Sequence, residues 1–407
     1  MGRFNLINEP WIKVIYNETG NCEFVSLETL FRDVIKIKGL AGDTKTQDFA
    51  VFRVILAILH TVYSRFDADG NVYEMLSLDD KFIPTEDVDE DDFNDYKRAL
   101  NNTWNTLWDR KSFTESLYHY LSKWNDRFYL FDDKYPFMQV VKGDLSEDKI
   151  SKKNPSTIMG KSFNRRLSES NNKVSLFSPK YEGDSNKEKL TEDEIVRWLI
   201  TYHGYTGLAD KVIFGKEKYK ASKGWLFDIG GINLEGKNLF ETLMLNFMVV
   251  HSDGKYSCRE QKPCWESSSD TIINNFMSNN FCDNLAQLYT MWSRAIYINP
   301  QMDLTQAFSC EIVKIPEIEH KDFFLEPMTI WQYNEQGENK NTFTPKKHRL
   351  NESMWKSFGI IAMPSIASKQ KQPGVIEWLN KKKKYILTRS EERRVGKECR
   401  SRWSPYH

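Results

Sequence analysis

The stretch from Asp48 to Phe66 limits what this chain can fold into more than any other. Val51, Val54, Ile55, Ile58, Leu59 and Val62 recur at i, i+3, i+4 and i+7, so the spacing predicts a long helix with a broad apolar face. A face that wide has to be covered, and the rest of the fold must be built around it. Thr44 and Gln47, three residues apart just ahead of the run, predict a capping box. His60 lies beside the stripe and has no second ligand at metal spacing, so it reads as a helix-face histidine with a local partner.

Other elements arrange themselves around that helix. Residues 4–25 read as two strands joined by a turn at Asn17–Asn21, and Ser26 sits where it would cap a short helix over Leu27–Val34. Asp92–Leu107 and Thr114–Trp124 have helical apolar faces, carried by Tyr96, Leu100, Trp104 and Leu107 in the first and Leu117, Leu121 and Trp124 in the second. Thr191 and Glu194 open a further helix to His203 with a capping box. Helices are also expected at Leu239–Val249 and Asp283–Ser293, and residues 294–350 read as β-rich. Between them, residues 142–190 are rich in Lys, Ser, Asn and Pro and read as one long loop of functional length.

Length and composition exclude several classes. The 407 residues suit two or three domains, with 40% hydrophobic residues to fill their cores. Arg3 and Glu9 interrupt the N-terminus, so no signal peptide is expected, and Val54–Leu59 is too short to span a bilayer. The six cysteines are scattered with no C-x-x-C pair, which suits reduced thiols in the cytoplasm. Formal net charge is zero, so any nucleic-acid contact must come from local patches.

Motifs for chemistry are missing. Gly160-Lys161-Ser162 ends like a P-loop, but Pro155 stands where the pattern needs glycine and no apolar strand precedes it. Asp67-Ala68-Asp69-Gly70-Asn71 has its glycine at the wrong place for a calcium loop. Cys258 and Cys264 lack a second pair for zinc. The basic features are more informative. Lys211, Lys216, Lys218, Lys220 and Lys223 alternate with Gly207, Gly215 and Gly224, where glycine lets a backbone approach a groove and lysine neutralises phosphate. A solvated basic loop is the plainer account of the same pattern. Lys346–Arg349 and Lys381–Lys384 form two further basic runs.

Four short motifs occur in order. They are Phe4-Asn5-Leu6-Ile7-Asn8-Glu9-Pro10-Trp11-Ile12-Lys13-Val14; Phe128-Tyr129-Leu130 with Tyr135-Pro136-Phe137-Met138-Gln139; Pro263-Cys264-Trp265-Glu266 with Leu288–Arg294; and Glu326-Pro327-Met328-Thr329. Together they resemble the CasA family, the large subunit of the type I-E CRISPR complex Cascade. The resemblance implies a subunit that binds rather than catalyses, without cofactor or metal. Its implied partners are the other Cascade subunits, guide RNA, double-stranded target DNA and a helicase-nuclease, with no membrane. It would recognise the short PAM beside a target, with sequence read by guide pairing. The fold class implied is α+β, a mixed N-terminal domain of helices and small sheets.

The resemblance also assigns residues. A glycine-rich loop falls within Gly207–Gly224, taking in Gly207, Lys211, Gly215, Lys216 and Lys220. Lys314 is the candidate for a lysine finger, and Phe177 for the anchor of a loop that docks on the guide end and a neighbouring subunit. The N-terminal domain is expected over 1–365 and the start of the C-terminal region over 366–388. Residues 389–407 instead resemble a translated sequencing adaptor, so the family's wedge and C-terminal four-helix bundle are expected to be largely missing. Two other readings compete: a metal-dependent hydrolase or nuclease with dispersed carboxylates, and a scaffold that holds protein partners through 142–190.

Overall fold

The computed structural model describes residues 2–164, 188–207, 211–227, 229, 231–280, 282–347, 369–389 and 402–403. The chain opens with β1 (Arg3–Asn5), a short strand beyond the two expected, followed by the expected pair β2 (Ile12–Tyr16) and β3 (Cys22–Val25). The Ser26 hydroxyl then accepts the Thr29 amide at 3.2 Å and starts α1 (Leu27–Arg32), which leads into β4 (Ile37–Leu40).

Next comes the helix that the apolar spacing predicts, α2 (Lys45–Tyr63). Thr44 caps it, its hydroxyl accepting the Gln47 amide at 3.1 Å. The expected box closes one residue further back, because the Gln47 carboxamide oxygen accepts from the Asp43 amide at 2.9 Å. The sequence predicts one buried face, yet Arg53, His60 and Thr61 on the other faces are buried as well. The helix is therefore enclosed on all sides. Thr61 bonds the Ala57 carbonyl, and the His60 ring lies edge-on to Phe247 and Tyr289.

Buried charge on and just beyond α2 decides what can pack there. Arg53 is bidentate to Glu326, at 2.9 and 2.8 Å, with both side chains almost wholly buried. The same carboxylate accepts from the Trp225 indole at 2.6 Å and the Met328 amide at 3.0 Å. Burial alone would raise the Glu326 pKa, but the Arg53 charge and these bonds hold it below the usual carboxylate range. Two residues past the helix, Arg65 is bidentate to Glu266 at 2.7 and 2.8 Å. Tyr120 also donates to Glu266, and Trp265 donates to Tyr120.

The remaining helices are α3 (Phe93–Arg110), α4 (Glu115–Lys123), the single turn α5 (Gly160–Phe163), α6 (Glu192–Tyr205), α7 (Leu239–Asn246), α8 (Ser269–Met277), α9 (Leu285–Tyr289) and α10 (Gly374–Arg389). The predicted faces of α3 and α4 are the ones buried, and α6 has its capping box at Thr191 and Glu194. The α10 helix rests on α3 through Trp378, edge-on to Trp104 at 5.9 Å.

Small antiparallel sheets tie distant parts together. Their strands are β5 (Tyr129–Phe131), β6 (Ser156–Met159), β7 (Ile232–Asn233), β8 (Arg294–Tyr297), β9 (Ser309–Lys314), β10 (Trp331–Asn334), β11 (Thr342–Pro345), β12 (Gln370–Lys371) and β13 (Arg402–Trp403). The orders are β1-β5, β3-β2-β4, β6-β9-β8, β11-β10-β12 and β7-β13. This is the α+β class expected.

Two local expectations need correcting. Residues 142–190 are not one continuous loop, since β6 and α5 lie inside them and β6 pairs with β9 from Ser156↔Ile312 to Met159↔Ser309. At four residues, with its two polar residues followed by its two apolar ones, β6 lacks the alternation that reveals a strand. The helix expected over Asp283–Ser293 is confined to Leu285–Tyr289: the Asn284 side chain caps its start by accepting the Gln287 amide, and at its end the Thr290 amide turns to the Gln287 carbonyl before the chain leaves for β8.

Removing one partner of a buried ion pair strands the other charge. Glu326→Ala should therefore destabilise the fold by about 3–5 kcal/mol in urea denaturation. Arg53→Met with Glu326→Leu should recover most of that loss, and a double variant as unstable as the single one would contradict this account.

Candidate nucleic-acid interface

The glycine- and lysine-rich segment starts where α6 stops. At Thr206 the backbone turns extended, and the chain passes into Gly207. It returns at Gly224, whose amide donates to the Thr206 carbonyl at 2.8 Å, while Leu226 donates to Gly204 at 2.9 Å. A Cβ at Gly224 would lie 2.3 Å from the Gly204 carbonyl oxygen, so only glycine fits this return. Gly215, at the tip, has φ +67, a left-handed turn position.

One guanidinium holds both ends of this excursion. Arg294, fully buried at the start of β8, donates to the Gly207 carbonyl at 2.6 Å and also to the Ser222 and Ser293 carbonyls. Sequence reasoning missed this residue, although Arg294 closes one of the four motifs that carry the family resemblance.

The segment also wraps the end of β9. Lys314 donates its amide to Val212 at 2.9 Å, and its carbonyl accepts from Phe214 at 3.3 Å. The Tyr219 hydroxyl pins both strands, accepting from the Phe214 amide at 2.9 Å and donating to the Lys314 carbonyl at 2.8 Å. Ser222 donates to Ile315 and Glu317 to Lys220, both at 2.8 Å. Lys314, some hundred residues away in sequence, is thus brought against the loop that holds Gly207, Lys211, Gly215, Lys216 and Lys220. In the β8–β9 ladder it stands opposite Arg294.

Charge then sorts the lysines. Lys220 is paired with Glu317 at 3.0 Å, and that bond and charge raise its pKa. Lys211, Lys216 and Lys218 are exposed, and among the described residues no carboxylate pairs with them. Phe177 and residues 208–210 lie outside the described residues. Of the run Lys346–Arg349 only Lys346 and Lys347 are described. In the run Lys381–Lys384, Lys382 is buried between Trp104 and Trp378 and bonds Asn105 at 2.9 Å, and burial lowers its pKa to about 8. It is a packing residue, unlike its exposed neighbours.

A buried histidine sets the backbone beside Arg294. His203, on α6, donates from Nε2 to the Met138 carbonyl at 2.9 Å and accepts the Ser293 amide at Nδ1 at 3.2 Å. The two bonds fix one neutral tautomer. Burial pushes its pKa from 6.5 to about 4. Among the described residues no group of three or more His, Cys, Asp or Glu is placed to hold a metal, and no helix is long and apolar enough to cross a membrane.

Comparison with known proteins gives this geometry a context. A family model described as CRISPR-associated protein Cse1 matches residues 5–393. The CRISPR-associated protein CasA/Cse1 of Thermus thermophilus is 25% identical over 270 residues, covering 65% of this chain and 42% of that protein. The crystal structure of Thermobifida fusca Cse1 is similar with a TM-score of 0.69 at 22% identity, over 93% of this chain and 66% of that one. A chain of a CRISPR RNA-guided surveillance complex is similar with a TM-score of 0.66 at 15% identity, over 93% of this chain and 68% of that one. The region matched in sequence therefore spans less than half the length of the Thermus relative.

The His203 tautomer makes stability depend on pH. The unfolded chain takes up a proton near pH 6.5 that the folded chain refuses until about pH 4. Stability is complete above the first value and falls as pH drops towards the second, by about 1.4 kcal/mol per unit. The thermal midpoint should fall across that window. His203→Gln, which cannot take the proton, should show a shallower fall, and an unchanged profile would contradict the assignment.

Proposed function

The chain belongs to the CRISPR-associated Cse1 (CasA) family, and from that premise we propose that it acts as the large subunit of a type I-E RNA-guided surveillance complex and contacts the PAM of double-stranded target DNA. The observation that carries the reading is the convergence of the 207–224 loop on Lys314 around the Tyr219 pin. Its backbone is fixed by Arg294 and Tyr219, while Lys211, Lys216 and Lys218 stand unpaired at its surface. A loop pinned in this way and carrying uncompensated lysines suits a groove lined by phosphates. Such contacts position the protein, and minor-groove readout is degenerate enough to tolerate several PAMs. Target sequence itself is then read by guide pairing.

The other elements of the proposal follow the family. Phe177 anchors the loop that docks on the guide end and a neighbouring subunit. The helicase-nuclease is recruited once target DNA is bound. Two similar solved structures are themselves RNA-guided surveillance complexes, one of them described as pre-nicking. The competing reading, a metal-dependent hydrolase or nuclease, requires a cluster of metal-binding side chains and predicts activity lost to a chelator.

Co-purification with the other Cascade subunits and guide RNA is the first test, and the assembled complex then provides the second. Charge reversal at Lys211, Lys216 and Lys314 should abolish target-duplex binding by that complex while leaving assembly intact. Unchanged duplex binding would sink the loop assignment, and chelator-sensitive hydrolysis by the chain alone would favour the hydrolase.

A further inference from the structure

A second basic segment reaches the same edge as the glycine-rich loop. Residues 149–151 pair antiparallel with 213–215: the Ser151 amide donates to the Ile213 carbonyl at 2.9 Å, and the Gly215 amide donates to the Lys149 carbonyl at 2.8 Å. Ile150 bridges Phe214 between them, and the Ser151 hydroxyl accepts the Ile213 amide at 3.1 Å. From this bridge one segment runs on to Lys152 and Lys153, and the other runs back to Lys211. Antiparallel pairing sends both in the same direction.

Carboxylates distinguish these lysines from their neighbours. On either side along the chain, Lys142 pairs with Glu311, Lys149 lies near Asp144 and Asp270, and Lys161 lies 3.7 Å from Glu188. Lys152 and Lys153 are exposed, and among the described residues no carboxylate pairs with them. The fold thus neutralises the flanking cations and leaves an adjacent pair bare at the end where Lys211, also unpaired, emerges. Like charges gathered across a paired backbone repel one another, and an external anion relieves that repulsion.

We propose that Lys152 and Lys153, together with Lys211, form a second phosphate-contacting point for duplex DNA beside the glycine-rich loop. This rests on the reading of that loop as a DNA-facing element. The main-chain bridge at Ile150 and Phe214 joins the two points, so they would engage one DNA backbone as a unit. The contacts are electrostatic and carry no base preference.

The test is fluorescence anisotropy of the full chain on a short labelled duplex through a salt series. Each lysine–phosphate contact contributes about 0.9 to the slope of log K against log salt. Lys152→Ala with Lys153→Ala should lower the slope by about 1 to 2 and weaken binding to all duplex sequences alike. Lys216→Ala with Lys218→Ala serves as the reference for the loop. If both pairs lower the slope, the proposal stands. If only the loop pair does, the second contact point is overturned and the loop reading survives. If only Lys152 and Lys153 matter, the contact point stands and the loop assignment falls. If neither pair matters, or the parent chain shows no salt-dependent binding, both are overturned.

Discussion

Two buried guanidiniums decide how this chain closes on itself. Arg53 and Arg65 lie on and just past the central helix, in surroundings where an unpaired charge would cost several kcal/mol. Each requires a carboxylate with matching geometry, and Glu326 and Glu266 supply it from segments far along the chain. Hydrophobic burial can be satisfied by many arrangements of greasy helices. A bidentate pair cannot, because the fork accepts one approach. The two pairs therefore fix which segments lie against the helix, and the indoles of Trp225 and Trp265 join their hydrogen-bond networks.

This explains which parts were legible in advance. The central helix, the α3 and α4 faces and the Ser26, Thr44 and Thr191 caps follow local rules that one stretch of sequence contains. The enclosure of α2 on all sides was not legible, since nothing near Arg53 shows that Glu326 will meet it. Glu266 and Glu326 were singled out only as parts of short motifs, and the structure gives those motifs a physical content as counter-charges for remote arginines. The β6 strand is not legible because its partner is β9, about 150 residues away, and its four residues, two polar and then two apolar, carry no alternation.

The candidate interface was half legible for the same reason. Glycines and lysines between 207 and 224 mark a basic loop, and that much is local. Which lysines remain uncompensated is a tertiary fact. Glu317 takes Lys220 out of the set, while Lys211, Lys216 and Lys218 stay in it. Lys314 was placed by family resemblance, and its backbone proves to be the seam on which the loop is sewn.

The Arg294 clamp has a consequence for how such a loop can vary. Because one guanidinium grips the carbonyls of Gly207 and Ser222, the gap between entry and exit is set by the body of the protein and not by the loop itself. Between these ends the chain is also stitched to β9 through Val212, Phe214 and Tyr219 and to residues 149–151 through Ile213 and Gly215, which leaves the turn over 216–218 as a span between ties. Adding residues there costs only slowly growing chain entropy, about 0.6 kcal/mol for each doubling in length. That turn can therefore be lengthened, shortened or recharged while the socket beneath it keeps its shape.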